Sequence, residues 1–167
     1  SGILASNLCS KKIRKKFIPD QGERNNSLQK QMLRDWFAAV KKISNPVISA
    51  YLQTVLLIGC RREELTSLKW TDVDFTYKSL VIGDKVEGTG IIALTPYVGT
   101  LLASLPRRNK FVLSSTKSAT GYLREPRIAH TRACAAAGLP HLTIHDLRRS
   151  FSNLAEWAVE VPVGVVY

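Results

Sequence analysis

The chain has 167 residues, 45% of them hydrophobic, which is enough for one domain with its own core and excludes disorder throughout. With 24 basic residues against 13 acidic, the net charge is +11, which favours a polyanionic partner, nucleic acid first, over solubility alone. No apolar run reaches membrane-span length, no signal-peptide pattern is visible, and Cys9, Cys60 and Cys134 with three histidines show neither a disulfide framework nor zinc-ligand spacing; a reducing cytosol is the expected home.

Residues 1–26 read as a basic linker or arm, with Lys11, Lys12, Arg14, Lys15 and Lys16 close together, either contacting DNA phosphates or remaining solvated. A helix is expected from Ser27, with Ser27 as cap and Leu28, Met32, Trp36, Val40 and Ile43 forming a core stripe. Asn45 and Pro46 start the next helix, whose residues Val47 to Ile58 are apolar on nearly every side and so belong in the interior; Gly59 ends it. Arg62 to Leu68 reads as a short helix and Trp70 to Asp74 as a turn. Ser79 to Gly83 and Gly90 to Leu94 form a hairpin whose loop carries Lys85, and Phe111 to Leu113 supplies a third strand. Thr95-Pro96 opens a helix to about Leu105, and Arg127 to Ala137 is a helix stopped by Gly138. Thr143 caps the last clear helix, and Asp146, three residues on, completes a capping box. The fold class that results is mainly α with a small three-stranded antiparallel β-sheet.

The last helix has two faces. Ile144, Leu147, Phe151, Leu154 and Ala158 recur at helical spacing and must face the core. His145, Arg148 and Ser152 lie one position further round. His145 stands in the first turn, where backbone N–H groups are free and the helix dipole favours an anion. A histidine and an arginine three residues apart at a helix start can hold one phosphate together, the planar guanidinium donating two hydrogen bonds. A solvated histidine beside two surface arginines, Arg148 and Arg149, would look the same on these residues alone.

Further motifs bear on that choice. Ile58-Gly59-Cys60-Arg61-Arg62-Glu63-Glu64-Leu65 places Arg61 after a buried helix that ends at glycine. Leu68-Lys69-Trp70-Thr71-Asp72-Val73-Asp74 follows, then Val81-Ile82-Gly83-Asp84-Lys85, Leu94-Thr95-Pro96, and Gly138-Leu139 ahead of Leu142-Thr143-Ile144-His145-Asp146-Leu147-Arg148-Arg149. In this order and spacing, over about residues 27–160, they resemble the tyrosine recombinases, the phage-integrase family.

The resemblance implies a tyrosine-recombinase-like catalytic domain over residues 27–167 and attack by a tyrosine hydroxyl on a DNA phosphodiester. The product is a 3′-phosphotyrosyl link with a free 5′-hydroxyl, needing no metal, ATP or other cofactor. It further implies that Arg61 and Arg148 clamp the non-bridging oxygens, Lys85 protonates the leaving 5′-oxygen, and His145 assists proton transfer or hydrogen-bonds the phosphate. Glu64 supports Arg61, while Arg62 and Arg149 are DNA-backbone or surface contacts. The implied partners are double-stranded attachment-site DNA, other copies in a homotetramer, and DNA-bending accessory proteins, in the cytoplasm of a bacterium or as a phage-encoded protein. The family's nucleophile lies roughly thirty or more residues past the second arginine, on a separate C-terminal element. Only 19 residues follow Arg148, and Tyr167 after the apolar run Val161 to Val166 is read as a helix-face tyrosine. The expectation is a catalytic domain without its nucleophile or its further phosphate ligand, able to bind DNA and unable to cut it. A non-catalytic DNA-binding module, a type IB topoisomerase-like enzyme and a plain interaction domain are the alternatives.

Overall fold

The computed structural model describes residues 26–84 and 88–160, with residues 84, 88–89 and 155–160 described by backbone alone. The basic segment 1–25, Lys85 and Tyr167 lie outside the described residues. Six helices carry the fold among those residues: α1 (Leu33–Lys41), α2 (Pro46–Ile58), α3 (Arg62–Thr66), α4 (Pro96–Ala103), α5 (Arg127–Ala136) and α6 (Ile144–Glu160). Three antiparallel strands, β1 (Val73–Asp74), β2 (Ser79–Asp84) and β3 (Gly88–Ala93), pair in the order β1-β2-β3. The register runs from Ser79 opposite Ala93 to Asp84 opposite Gly88, and Val73 faces Leu80.

Helix α2 forms the centre. Its start is built as expected: the Asn45 side chain accepts from the Val47 N–H at 3.0 Å, and Pro46 fills the first turn. Every residue from Ser49 to Leu56 is buried. A helix that is apolar all round must be covered on all sides, and α1, α4 and α6 each pack against it. Trp36 and Val40 of α1 are fully enclosed, while Met32 and Ile43 of the same stripe are partly covered. His130 of α5 is also enclosed; its Nε2 accepts from Trp36 Nε1 at 3.1 Å, joining α5 to α1. Burial holds the imidazole pKa down at about 4, with the nearby His141 acting in the same direction, so His130 is a neutral core residue at physiological pH.

Two expectations need correction. Ser27 does not cap a helix. The chain enters through a single 3-10 turn at Lys30–Met32, and α1 begins at Leu33. Ser27 and Leu28 are instead docked on α6: the Leu28 N–H donates to Ser150 Oγ at 2.7 Å, and Asn153 Nδ2 donates to Ser27 Oγ at 3.1 Å. The long-range bonds override the local capping preference. The third strand is Val73–Asp74 and not Phe111–Leu113. Asp74 Oδ1 accepts from the N–H groups of Thr76 and Tyr77, which folds a tight turn back into β2. Phe111 and Ser114 make only isolated bridges, to Lys69 and Tyr122, so their segment threads between loops without joining the sheet. No helix among the described residues is long and apolar enough to cross a membrane.

Candidate phosphate site

The first turn of α6 has the predicted architecture. Thr143 N and Oγ1 both donate to Asp146 Oδ2, at 2.8 and 2.7 Å, and Asp146 N donates to Thr143 Oγ1 at 3.1 Å. Asp146 itself is buried, as are Ile144 and Leu147, so the stripe that includes them faces the core. His145 is exposed and Arg148 half-buried on the adjoining face. Ser150 donates to the Asp146 carbonyl at 2.6 Å while accepting from Leu28, which ties this turn to the chain entry.

What faces that turn is set by Gly59. It ends α2 with φ +70°, a left-handed conformation suited to glycine. A Cβ there would fall only 2.1 Å from Phe151 Cδ1, so the ring of α6 lies directly against the Gly59 backbone. This close approach brings Cys60 and Arg62 beside His145 and Arg148. Together with Val55, Ile144 and Glu125, these residues line a cavity of about 200 Å³. Cys60 is buried in the wall, and burial pushes its thiol up to about 12, with Glu64 adding to the shift and Arg148 opposing it. It remains a protonated thiol, a poor nucleophile.

Arg61 does not line this cavity. It precedes α3, where Glu64 Oε2 accepts from the Arg61 N–H at 2.8 Å and Glu64 Oε1 pairs with Arg61 Nη1 at 3.2 Å. Glu64 thus holds both the backbone and the side chain of Arg61. The structure therefore brings together His145, Arg148 and Arg62, with Arg61 flanking them on Glu64. Lys85, the remaining predicted site residue, lies outside the described residues.

Glu125 is the cavity residue that the sequence reading missed. Its carboxylate accepts from Arg62 Nη1 and from Arg127 Nε, both at 2.9 Å, and Arg127 followed by Arg62 draws its pKa below the usual carboxylate value against the effect of burial. It stands 61 residues or more from the Arg62–Glu64 segment in an irregular stretch ahead of α5, where neither periodicity nor a motif marks it.

No family model matches the sequence. The chain is 47% identical over 173 residues to the prophage integrase IntF of Escherichia coli (strain K12), an alignment that covers 99% of this chain and 37% of that protein's length. Among solved structures, the XerH site-specific recombinase bound to difH substrate, in a pre-cleavage complex, is similar with a TM-score of 0.65 at 20% identity, over 81% of this chain and 44% of that one. A lambda integrase dimer bound to a COC′ core site gives a TM-score of 0.63 at 18% identity, over 80% of this chain and 41% of that one. These structures share the fold, and the similarity to the prophage integrase extends along almost the whole chain, which spans just over a third of that relative's length.

Proposed function

We propose that this chain forms the phosphate-binding part of a site-specific DNA recombination site, serving integration through phosphoryl transfer on duplex DNA. The observation that carries the reading is the cavity that places His145 and Arg148, at the capped start of α6, against the Cys60–Arg62 segment. Fixed cations and a helix N-terminus suit the extra negative charge of a phosphorane-like transition state.

In this reading a tyrosine oxygen forms a bond to phosphorus and the bond to the 5′-oxygen breaks. Lys85 gives the 5′-oxygen its proton, and His145 hydrogen-bonds the phosphate or assists the tyrosine's proton loss. Arg148 holds one non-bridging oxygen from the cavity wall, and Arg61, braced by Glu64 beside the cavity, reaches the other from its rim. The tyrosine is supplied from outside the described residues, on a C-terminal element of the family type, and assembly as a tetramer on two duplexes belongs to the same reading. Two experiments test it. A crystal of the chain soaked in orthovanadate is expected to hold the anion against His145 and Arg148; an empty cavity there refutes the site. Appending a family C-terminal segment with its tyrosine is expected to give covalent trapping on a nicked attachment-site duplex, whereas the chain alone gives none. Trapping by the chain alone would assign the nucleophile to Tyr167. Binding without cleavage in the extended protein would leave a DNA-binding module.

A further inference from the structure

Beside the candidate phosphate cavity lies a wider groove of about 610 Å³, with Arg62, Tyr122, Arg124, Glu125 and Arg127 among its walls. Arg62 and Glu125 line both spaces and so form the partition between them. Each oxygen of Glu125 is engaged: Oε1 by Arg127 Nε and Oε2 by Arg62 Nη1. Arg62 Nη2 is held in turn by Glu63 Oε1 at 3.1 Å. One N–H on each terminal nitrogen of Arg62 is therefore tied to a carboxylate. A guanidinium has five N–H donors, so the others remain for an acceptor in the cavity. The Glu125 side chain is 19% exposed and that of Arg62 is 47% exposed, which makes the carboxylate the enclosed anchor and the guanidinium the group that meets solvent.

We propose that Arg62 contacts a DNA phosphate at this site, beside Arg148, and that Glu125 is the residue that positions it. The proposal rests on the reading of His145 and Arg148 as phosphate ligands. The enclosed Glu125 carboxylate restricts the Arg62 side chain before DNA arrives, so less conformational freedom is lost on contact. Positioning and simple charge predict opposite signs at Glu125. A carboxylate near DNA repels it, so removing the charge should strengthen binding. If Glu125 aims Arg62, removing it should weaken binding.

The test is equilibrium binding of the chain to a mixed-sequence duplex, followed by fluorescence anisotropy across a salt series. Arg62→Ala is expected to weaken binding and to flatten the dependence of log affinity on log salt by about 0.9, one phosphate contact. Glu125→Ala is expected to reproduce that loss of slope, Glu125→Gln to give a smaller one, and Arg62→Ala with Glu125→Ala to lose no more than Arg62→Ala alone. A variant that merely lowered the folded fraction would weaken binding with the slope unchanged. Tighter or unchanged binding by Glu125→Ala at the wild-type slope overturns the positioning of Arg62. A wild-type slope for Arg62→Ala overturns its phosphate contact. Arg148→Ala separates the two levels: if it too keeps the wild-type slope, the phosphate site itself fails, whereas a reduced slope there with wild-type behaviour at Arg62 sinks only this inference.

Discussion

The contact between Gly59 and Phe151 lends itself to a quantitative test, because it couples the end of α2 to the helix that carries His145 and Arg148. In Gly59→Ala, a φ of +70° places an L-residue in the left-handed region, which costs about 1–2 kcal/mol. The new methyl would also sit 2.1 Å from Phe151 Cδ1, far inside any allowed contact, and accommodating it by moving the ring or α6 costs a further ~1–3 kcal/mol. The sum, roughly 2–5 kcal/mol, is a large part of the stability of a domain of this size. Urea unfolding of Gly59→Ala, Phe151→Ala and the double variant isolates the steric part. With the ring removed, Gly59→Ala should cost only the backbone strain, leaving a coupling energy of about 1–3 kcal/mol between the two positions. Equal costs of Gly59→Ala with and without Phe151 would show that ring proximity does not hold α6 against α2, and the assembly of the cavity would need another cause.

Other outcomes follow from the core and the caps. His130 has a pKa of about 4 in the fold against 6.5 in the unfolded chain, so its neutral form is favoured on folding. Its contribution is fully present above pH 6.5 and is lost as pH falls toward 4, where the loss levels off; on the order of 2 kcal/mol disappears between pH 7.5 and 5. His130→Gln should flatten this part of the urea-unfolding pH profile, and an unchanged profile would mean that His130 does not carry it. Asp146→Ala removes the acceptor of Thr143 N and Oγ1 and should cost about 1–2 kcal/mol in thermal or urea unfolding, while wild-type stability would show an idle cap. Ser150→Ala leaves the buried Leu28 N–H without its acceptor and should cost about 1–3 kcal/mol, with faster hydrogen exchange at the Leu28 amide as the local sign. Cys60, buried and held as the thiol, should react with a thiol reagent only as fast as the fold opens; rapid modification of the native chain would contradict its placement in the cavity wall.

Much of the secondary structure was legible because its signals are local. Asn45-Pro46, the apolar run to Ile58, Gly59, Gly138 and the Thr143–Asp146 pair act through bonds and backbone preferences within a few residues, and each is realised as read. The half of the site on α6 was legible for the same reason: the core stripe orients the helix and leaves His145 and Arg148 on its adjoining face. Ser27 and the third strand were misread where distant partners outweighed local preference: Ser150 and Asn153 for the chain entry, and the β1–β2 pairing for the sheet.

The sequence alone offers Arg61, Lys85, His145 and Arg148 only as an order that resembles a known family's, and order along a chain carries no direction in space. That Arg62 lines the cavity while Arg61 rests against Glu64 depends on how α3 leaves Gly59, and on the Phe151 ring pressed against that glycine. Glu125 enters the site from a distant irregular segment through two ion pairs. Composition, caps and helix faces were therefore determined by the sequence through short-range physics. Which guanidinium meets the cavity, and which carboxylate holds it, was decided by packing between segments far apart in the chain.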